Sequence, residues 1–304
     1  MPAMFFKLVI LIQATLAVSQ NVSFIYNGFR SEYLSLDGVA QFTPNGLLML
    51  TNDSQEIKGH AFYPNPVTFK NSYSDTNAFL FSTTFVFAIR SVLATVSGHG
   101  MAFVIALKRG IPQELDTIKQ IEFNDIDNNH VGIDINGLNS VKSATAGYYA
   151  ENNGGFRNLS LTSGQVMQVW VEYDGTKKQI NVTLAPVSAG KPHAPLLSLK
   201  HDLSPILHKT MYVGFSSSTG SLPTSHYVLG WSFKMNGQAQ ELVHSQLPNL
   251  PRIGGKKVSK LLTIGVPVMS LSLVLLPIVG IISAIRRKRK FAELLEDWEL
   301  EYGP

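Results

Sequence analysis

Carboxylates, amides and one imidazole crowd the stretch between positions 114 and 134. It reads Glu114-Leu115-Asp116-Thr117, then Phe123-Asn124-Asp125-Ile126-Asp127-Asn128-Asn129-His130-Val131-Gly132-Ile133-Asp134. Hard cations take carboxylate and amide oxygens, and a transition metal also takes an imidazole nitrogen. A strand, a loop and a returning strand would gather Glu114, Asp116, Asp125 and His130 around one or two ions. The bland alternative is a solvated loop whose Asn and Asp side chains simply make turns. A third chemistry is glycoside hydrolysis. Glu114 and Asp116 alternate by two and share a strand face, and that reaction needs two carboxylates about 5–10 Å apart across a cleft.

The elements that must position these residues read as β structure. The chain is 304 residues long, 45% hydrophobic, 15% charged, and rich in Phe and Tyr. That composition favours a sizeable core over disorder. The net charge of +4 owes much to residues beyond 250, so it gives no reason to expect a nucleic-acid partner. With no cysteine, the chain has neither a Cys-ligated zinc site nor a cysteine nucleophile, and a domain of this size folds on core burial alone. Positions 39–51 predict a strand, a Pro44-Asn45-Gly46 turn and a second strand. Phe79 to Phe87 is aromatic and β-branched, and Met101 to Leu107 is a near-continuous apolar run. Val166 to Tyr173, then Asp174-Gly175, then Gln179 to Leu184 reads as a hairpin. Met211 to Phe215 and Tyr227 to Phe233 read as closing strands. No amphipathic helix of twelve residues emerges over 21–240. Many short strands at this spacing predict an all-β sandwich.

The two ends of the chain read differently. Residues 1–19 hold one Lys, an apolar run and small residues before Gln20, the pattern of a cleaved signal peptide. Asn21, Asn52, Asn158 and Asn181 each open an Asn-X-Ser/Thr sequon. Residues 241–260 carry prolines and scattered basic groups, as an extracellular stalk does. Residues 261–285 run without a charge, long enough to span a bilayer, and Pro267 and Pro277 do not prevent insertion. Arg286-Arg287-Lys288-Arg289-Lys290 follows, a basic cluster that marks the cytoplasmic side and a 286–304 juxtamembrane tail. The expectation is a single-pass type I protein of the plasma membrane, with its N-terminus outside.

In order, these motifs resemble one family. Glu-Leu-Asp-Thr at 114–117, Asp125 five places before His130, and Val131-Gly132-Ile133-Asp134 resemble the calcium/manganese loop of legume lectins. The closer resemblance is to the ectodomain of plant L-type lectin receptor kinases. Phe24 to Phe29, Gly59-His60-Ala61-Phe62-Tyr63, Val169 to Gly175, Gly214 to Gly220 and Gly230-Trp231-Ser232-Phe233 resemble further family segments, so the likeness covers nearly all of 21–240, within an expected lectin-like domain at 20–240. Asp297 to Pro304 resembles the segment that precedes the kinase in such receptors. No Gly-rich phosphate loop, His-Arg-Asp loop or Asp-Phe-Gly motif occurs, so the chain is read as non-enzymatic.

The resemblance implies a legume-lectin-type jelly roll followed by a single transmembrane helix. It implies Ca2+ and Mn2+ held by Glu114, Asp116, Asp125 and His130, with Glu114 on manganese only and His130 supplying nitrogen. It implies a sugar site at His99, Gly100, Gln120, Asn124, Ser221 and Leu222. Three departures stand out. His99 occupies the position of the family's sugar-binding Asp, and a neutral imidazole lacks a carboxylate's acceptor pair. Gln120 stands where a metal-loop Asn is expected, and Asn124 is its potential substitute. Gln113 joins Glu114 directly, where the family carries about twenty-five more residues and most of a central strand. The functional expectation is a carbohydrate-binding receptor ectodomain without its kinase, acting in cell-surface perception or defence. The alternatives are an interaction protein that pairs with full-length lectin receptor kinases or with itself, and a degraded gene product.

Overall fold

The computed structural model describes residues 22–30, 33–70, 79–91, 99–110, 127, 129–137, 139–150, 155–251 and 266–303. Side chains of the C-terminal helix are described over 269–291. The expected signal peptide, Asn21, Glu114, Asp116, Gln120, Asn124 and Asp125 lie outside the described residues. The chain divides into two units, Met1–Leu250 and Pro251–Pro304.

The first unit is built from strands β1 (Ser23–Tyr26), β2 (Ser35–Gly38), β3 (Gln41–Phe42), β4 (Leu48–Thr51), β5 (Lys58–Phe62), β6 (Val67–Thr68), β7 (Phe81–Ser91) and β8 (Met101–Ala106). They are followed by β9 (His130–Asp134), β10 (Ser140–Thr145), β11 (Gly147–Tyr149), β12 (Phe156–Asn158), β13 (Met167–Asp174), β14 (Gln179–Pro186), β15 (Leu197–Lys200), β16 (Thr210–Ser218) and β17 (Thr224–Met235). An eight-stranded sheet runs β15-β14-β13-β7-β17-β4-β3, with β1 also on β17. A five-stranded sheet runs β2-β5-β16-β6, with β8 on the other edge of β16. Every ladder is antiparallel.

Aromatic rings join the two sheets. Trp231 of β17 lies 4.8 Å from Phe215 of β16 and 6.2 Å from Phe103 of β8, edge to face in both cases. Its indole N–H donates to Thr83 Oγ1 at 2.9 Å, so the buried polar atom is satisfied. The apolar continuity of β7 has a structural reason. Phe85, Phe87 and Ile89 enter the core between the sheets, while Val86 and Ala88 join a second cluster on the opposite face. Leu242 and Leu247 close that second cluster, and Leu242 is 5% exposed. Trp170 Nε1 donates to Glu241 at 3.3 Å, and His244 Nε2 donates to Gln168 Oε1 at 2.7 Å. The described part of the expected stalk, 241–251, therefore begins as a strap across the outer face of the sheet.

Among the described strands β8 pairs only with β16, and β9 only with β10. Residues 111–126, which connect β8 to β9, lie outside the described residues. The expected β13–β14 hairpin is present and turns over the four residues 175–178. Asp174 Oδ1 accepts the N–H groups of Thr176 and Lys177, and Lys178 takes the left-handed conformation at φ 53°.

The second unit holds α1 (Val266–Tyr302), with Pro277 inside it. Its segment Met269–Phe291 is long and apolar enough to cross a membrane, and its described side chains are solvent-exposed. The helix continues through the basic cluster at 286–290.

Candidate functional site

Three segments meet at one end of the sandwich. They are the β4–β5 loop at 52–57, the lead-in to β8 at His99-Gly100, and the β16–β17 connection at 219–223. Thr219, 3% exposed, ties the first to the third. Its N–H donates to Ile57 O at 2.8 Å, its hydroxyl donates to Ser54 O at 2.9 Å, and Ile57 N donates back to that hydroxyl at 3.1 Å. Glu56 N donates to Gly220 O at 3.1 Å, and Gln55 Nε2 donates to Ser221 O at 2.6 Å. Glu56 holds φ 53°, a left-handed conformation uncommon outside Gly, Asn and Asp. The second segment joins the same end of β16. Ser217 Oγ donates to Gly100 O at 3.0 Å, and His99 Nδ1 lies 3.2 Å from Ser218 Oγ.

Beneath these loops sits a buried pair. Thr51 Oγ1 donates to Thr224 O at 2.9 Å and lies 2.6 Å from His226 Nδ1. A hydroxyl has one proton, so Nδ1–H of His226 must be the donor to Thr51. His226 Nε2 is then the unprotonated nitrogen, buried without a hydrogen-bond partner. Burial holds the imidazole down at about 4, opposed by the nearby His99 backbone, while the His99 ring pushes it lower. The floor of the site is a neutral histidine at ordinary pH.

Four of the six residues expected to touch sugar are described, and the structure brings them to this rim. His99, Gly100 and Ser221 are exposed, and Leu222 is half-buried. Gln120 and Asn124 lie outside the described residues. The rim offers an imidazole, the Ser218 and Ser221 hydroxyls, backbone polar groups and the apolar Leu222. Such a set hydrogen-bonds vicinal hydroxyls and covers one apolar sugar face. Loop 52–57 and the Thr51–His226 pair were missed by sequence reasoning. The available signal was a histidine directly before the apolar run Tyr227 to Phe233.

Of the four expected metal ligands only His130 is described. Its Nδ1 donates to Asp127 O at 2.7 Å, which leaves Nε2 as the nitrogen carrying the lone pair. That tautomer, fixed by a backbone carbonyl, suits a metal-ligating histidine. Asp127 is engaged elsewhere. Its Oδ2 accepts Thr145 Oγ1 at 2.6 Å and its Oδ1 accepts Asn129 N at 2.7 Å. The Thr145 hydrogen bond is the main reason its carboxyl lies below the usual range. Among the described residues no three His, Asp or Glu side chains gather as a metal cluster.

The Legume lectin domain profile matches residues 21–114 and 111–249, two pieces that meet where the sequence joins Gln113 to Glu114. The L-type lectin-domain containing receptor kinase IV.1 of Arabidopsis thaliana is 47% identical over 312 positions, covering 94% of this chain and 46% of that protein. Receptor kinase SIT2, of the same L-type class, from Oryza sativa subsp. japonica is 45% identical over 313, covering 95% and 46%. The chain thus spans about half the length of these relatives. Both alignments exceed the covered part of this 304-residue chain by some two dozen positions, which have no counterpart here. The solved winged bean acidic lectin, complexed with methyl-alpha-D-galactose, superposes with a TM-score of 0.58 at 25% identity, over 73% of this chain and 100% of that one. With a profile match over most of its length and a two-sheet antiparallel sandwich, the chain belongs to the legume lectin domain family.

Proposed function

We propose that this chain is a membrane-tethered lectin that binds a glycan outside the plasma membrane at the rim formed by His99, Gly100, Ser221 and Leu222. The observation that carries the reading is the convergence of His99-Gly100 with the 218–222 segment, held through Ser217, Ser218 and Thr219. The galactoside in the superposable winged bean lectin supports a pyranose as the class of ligand. His99 takes part as a neutral or charged hydrogen-bonding ring where a carboxylate would be acceptor-only, so sugar preference shifts away from that of Asp-bearing relatives. Glu114, Asp116, Asp125 and His130 are the residues proposed to hold Ca2+ and Mn2+. Bound, the ions would stiffen the loops that carry Gln120 and Asn124.

The test uses the full chain in detergent micelles on a glycan array. Retention on a subset of pyranosides is expected, with at least a tenfold loss in His99→Ala. Chelation is expected to lower both retention and the melting temperature. Retention nowhere on the array, with a normal melting transition, sinks the sugar reading. Co-purification with a full-length lectin receptor kinase would then favour the pairing role. Insensitivity of both binding and melting to chelator sinks the metal assignment.

A further inference from the structure

We propose that the outer face of the eight-stranded sheet carries a seat for an N-linked glycan on Asn181, whose first sugar occupies the adjoining pocket. The proposal rests on the extracellular reading above. It goes beyond that reading by giving one sequon a built site.

Asn181-Val182-Thr183 lies in the middle of β14, not in a loop. Ile180 and Val182 belong to the core between the sheets, so strand alternation turns Asn181 and Thr183 outward. Asn181 stands directly opposite Glu172 of β13. Its Oδ1 accepts Ser198 Oγ at 2.7 Å and Gln179 Nε2 at 3.4 Å. Its Nδ2, the atom that a glycan would substitute, donates to no protein group. Substitution there would cost no hydrogen bond and leave the amide oriented by Ser198.

Asn181 borders a pocket of about 280 Å³, walled by Glu172, Asn181 and Thr183 on the sheet and Lys191, Pro192 and His193 on the following loop. At ~30 Å³ per water this is room for about nine waters, the bulk of one N-acetylhexosamine. The charges inside are already matched. Glu172 Oε1 accepts Lys191 Nζ at 2.6 Å and Gln238 Nε2 at 2.8 Å. A neutral ligand fits such a paired wall better than an ion does. Glu172 Oε2 remains as an acceptor for a sugar hydroxyl, and Pro192 with Pro195 gives an apolar surface for the acetamido methyl and ring C–H groups. Pro192 also borders a second pocket of about 200 Å³, lined by Tyr148, Tyr149 and Arg157. The other described sequons have no such setting. Asn158 is exposed on β12 among exposed neighbours, and Asn52 sits in a turn with its Oδ1 on Ser54 N.

The test expresses the full chain in insect cells and purifies it in detergent. Peptide-N-glycosidase in heavy-oxygen water marks each released site, read by peptide mass spectrometry. Under native conditions release at Asn181 is expected to be at least tenfold slower than at Asn52 and Asn158, and equal to them after denaturation. Glu172→Ala is expected to speed native release at Asn181 alone. Thr183→Ser, which keeps the sequon, is expected to leave occupancy intact. Equal native rates at all sites overturn the proposal, as does an unmodified Asn181 beside an occupied Asn52 or Asn158. An absence of glycan at every site overturns the extracellular reading as well.

Discussion

His226 shows how one residue couples the rim to pH. The unfolded imidazole titrates near 6.5, and burial holds the folded one at about 4. Above pH 6.5 both states are neutral and the group costs nothing with pH. As pH falls from 6.5 towards 4, the unfolded chain takes a proton that the folded chain refuses, so stability is lost. Below about 4 the loss stops growing. The difference in affinity corresponds to about 3 kcal/mol across the window. Asp202, kept far below the carboxylate range by its hydrogen bond to Lys178, loses its contribution only at more acid pH. Denaturant unfolding followed by Trp fluorescence is therefore expected to show a stability loss from pH 6.5 to 4.5 that His226→Gln largely removes. An identical slope in that variant would show that His226 is not the titrating group.

At the scale of elements, Gly59 fixes how closely the two sheets approach beside the rim. A Cβ at Gly59 of β5 would sit 1.8 Å from Leu50 O of β4 and 3.1 Å from Ala40 N. Backbone cannot yield as a side-chain tip does, so Gly59→Ala must part β4 from β5 and tilt the 52–57 loop between them. The expected cost is about 1–3 kcal/mol, measured by denaturant unfolding, together with weaker glycan retention. Gly137→Ala is the contrast, because the nearest atom to its Cβ is Ile135 O at 4.0 Å, and no change in either readout is expected. The motif Gly59-His60-Ala61-Phe62 was legible as a strand, but the reason for its glycine needed a neighbour 9 residues earlier in a different sheet. The same holds elsewhere. The strands at 81–91, 101–106, 167–174 and 224–235 were legible, because β-branched and aromatic runs bury well on a pleated surface. The covering of the outer face by Leu242 and Leu247 was not, since prolines and scattered charges suggested a stalk and burial against Val86 is non-local. His99, Gly100, Ser221 and Leu222 were placed by motif order. The supports beneath them, Thr51 and His226, are 175 residues apart, and no local pattern joins them.

For the whole molecule, the question is on which side of a bilayer the lectin unit stands. An 18-residue window within Met269–Phe291 has a mean hydropathy of 2.0, and the uncharged helix from Val266 to Ile285 rises about 30 Å at ~1.5 Å per residue, enough for a hydrocarbon core. Leu273, Leu276, Val279 and Ile281 are each at least 60% exposed, so apolar surface wraps round the helix instead of forming one stripe. In water that surface is costly, and lipid removes the cost. The basic run Arg286 to Lys290 closes one end of the span, while Glu293, Glu296, Asp297, Glu299 and Glu301 follow it. Basic residues next to a span are retained in the cytoplasm, and the proposed extracellular reading takes the lectin unit to stand on the other side. In sealed microsomes carrying the full chain, added protease is expected to spare the lectin unit and remove only the segment beyond Lys290. Detergent should then open the lectin unit to protease. Replacement of Arg286, Arg287, Lys288, Arg289 and Lys290 by Gln should raise the fraction digested in intact vesicles, because Lys256, Lys257 and Lys260 would then carry the remaining charge bias from the opposite flank. Complete digestion of the unaltered lectin unit in sealed vesicles would reverse the orientation, and with it the extracellular site of glycan binding.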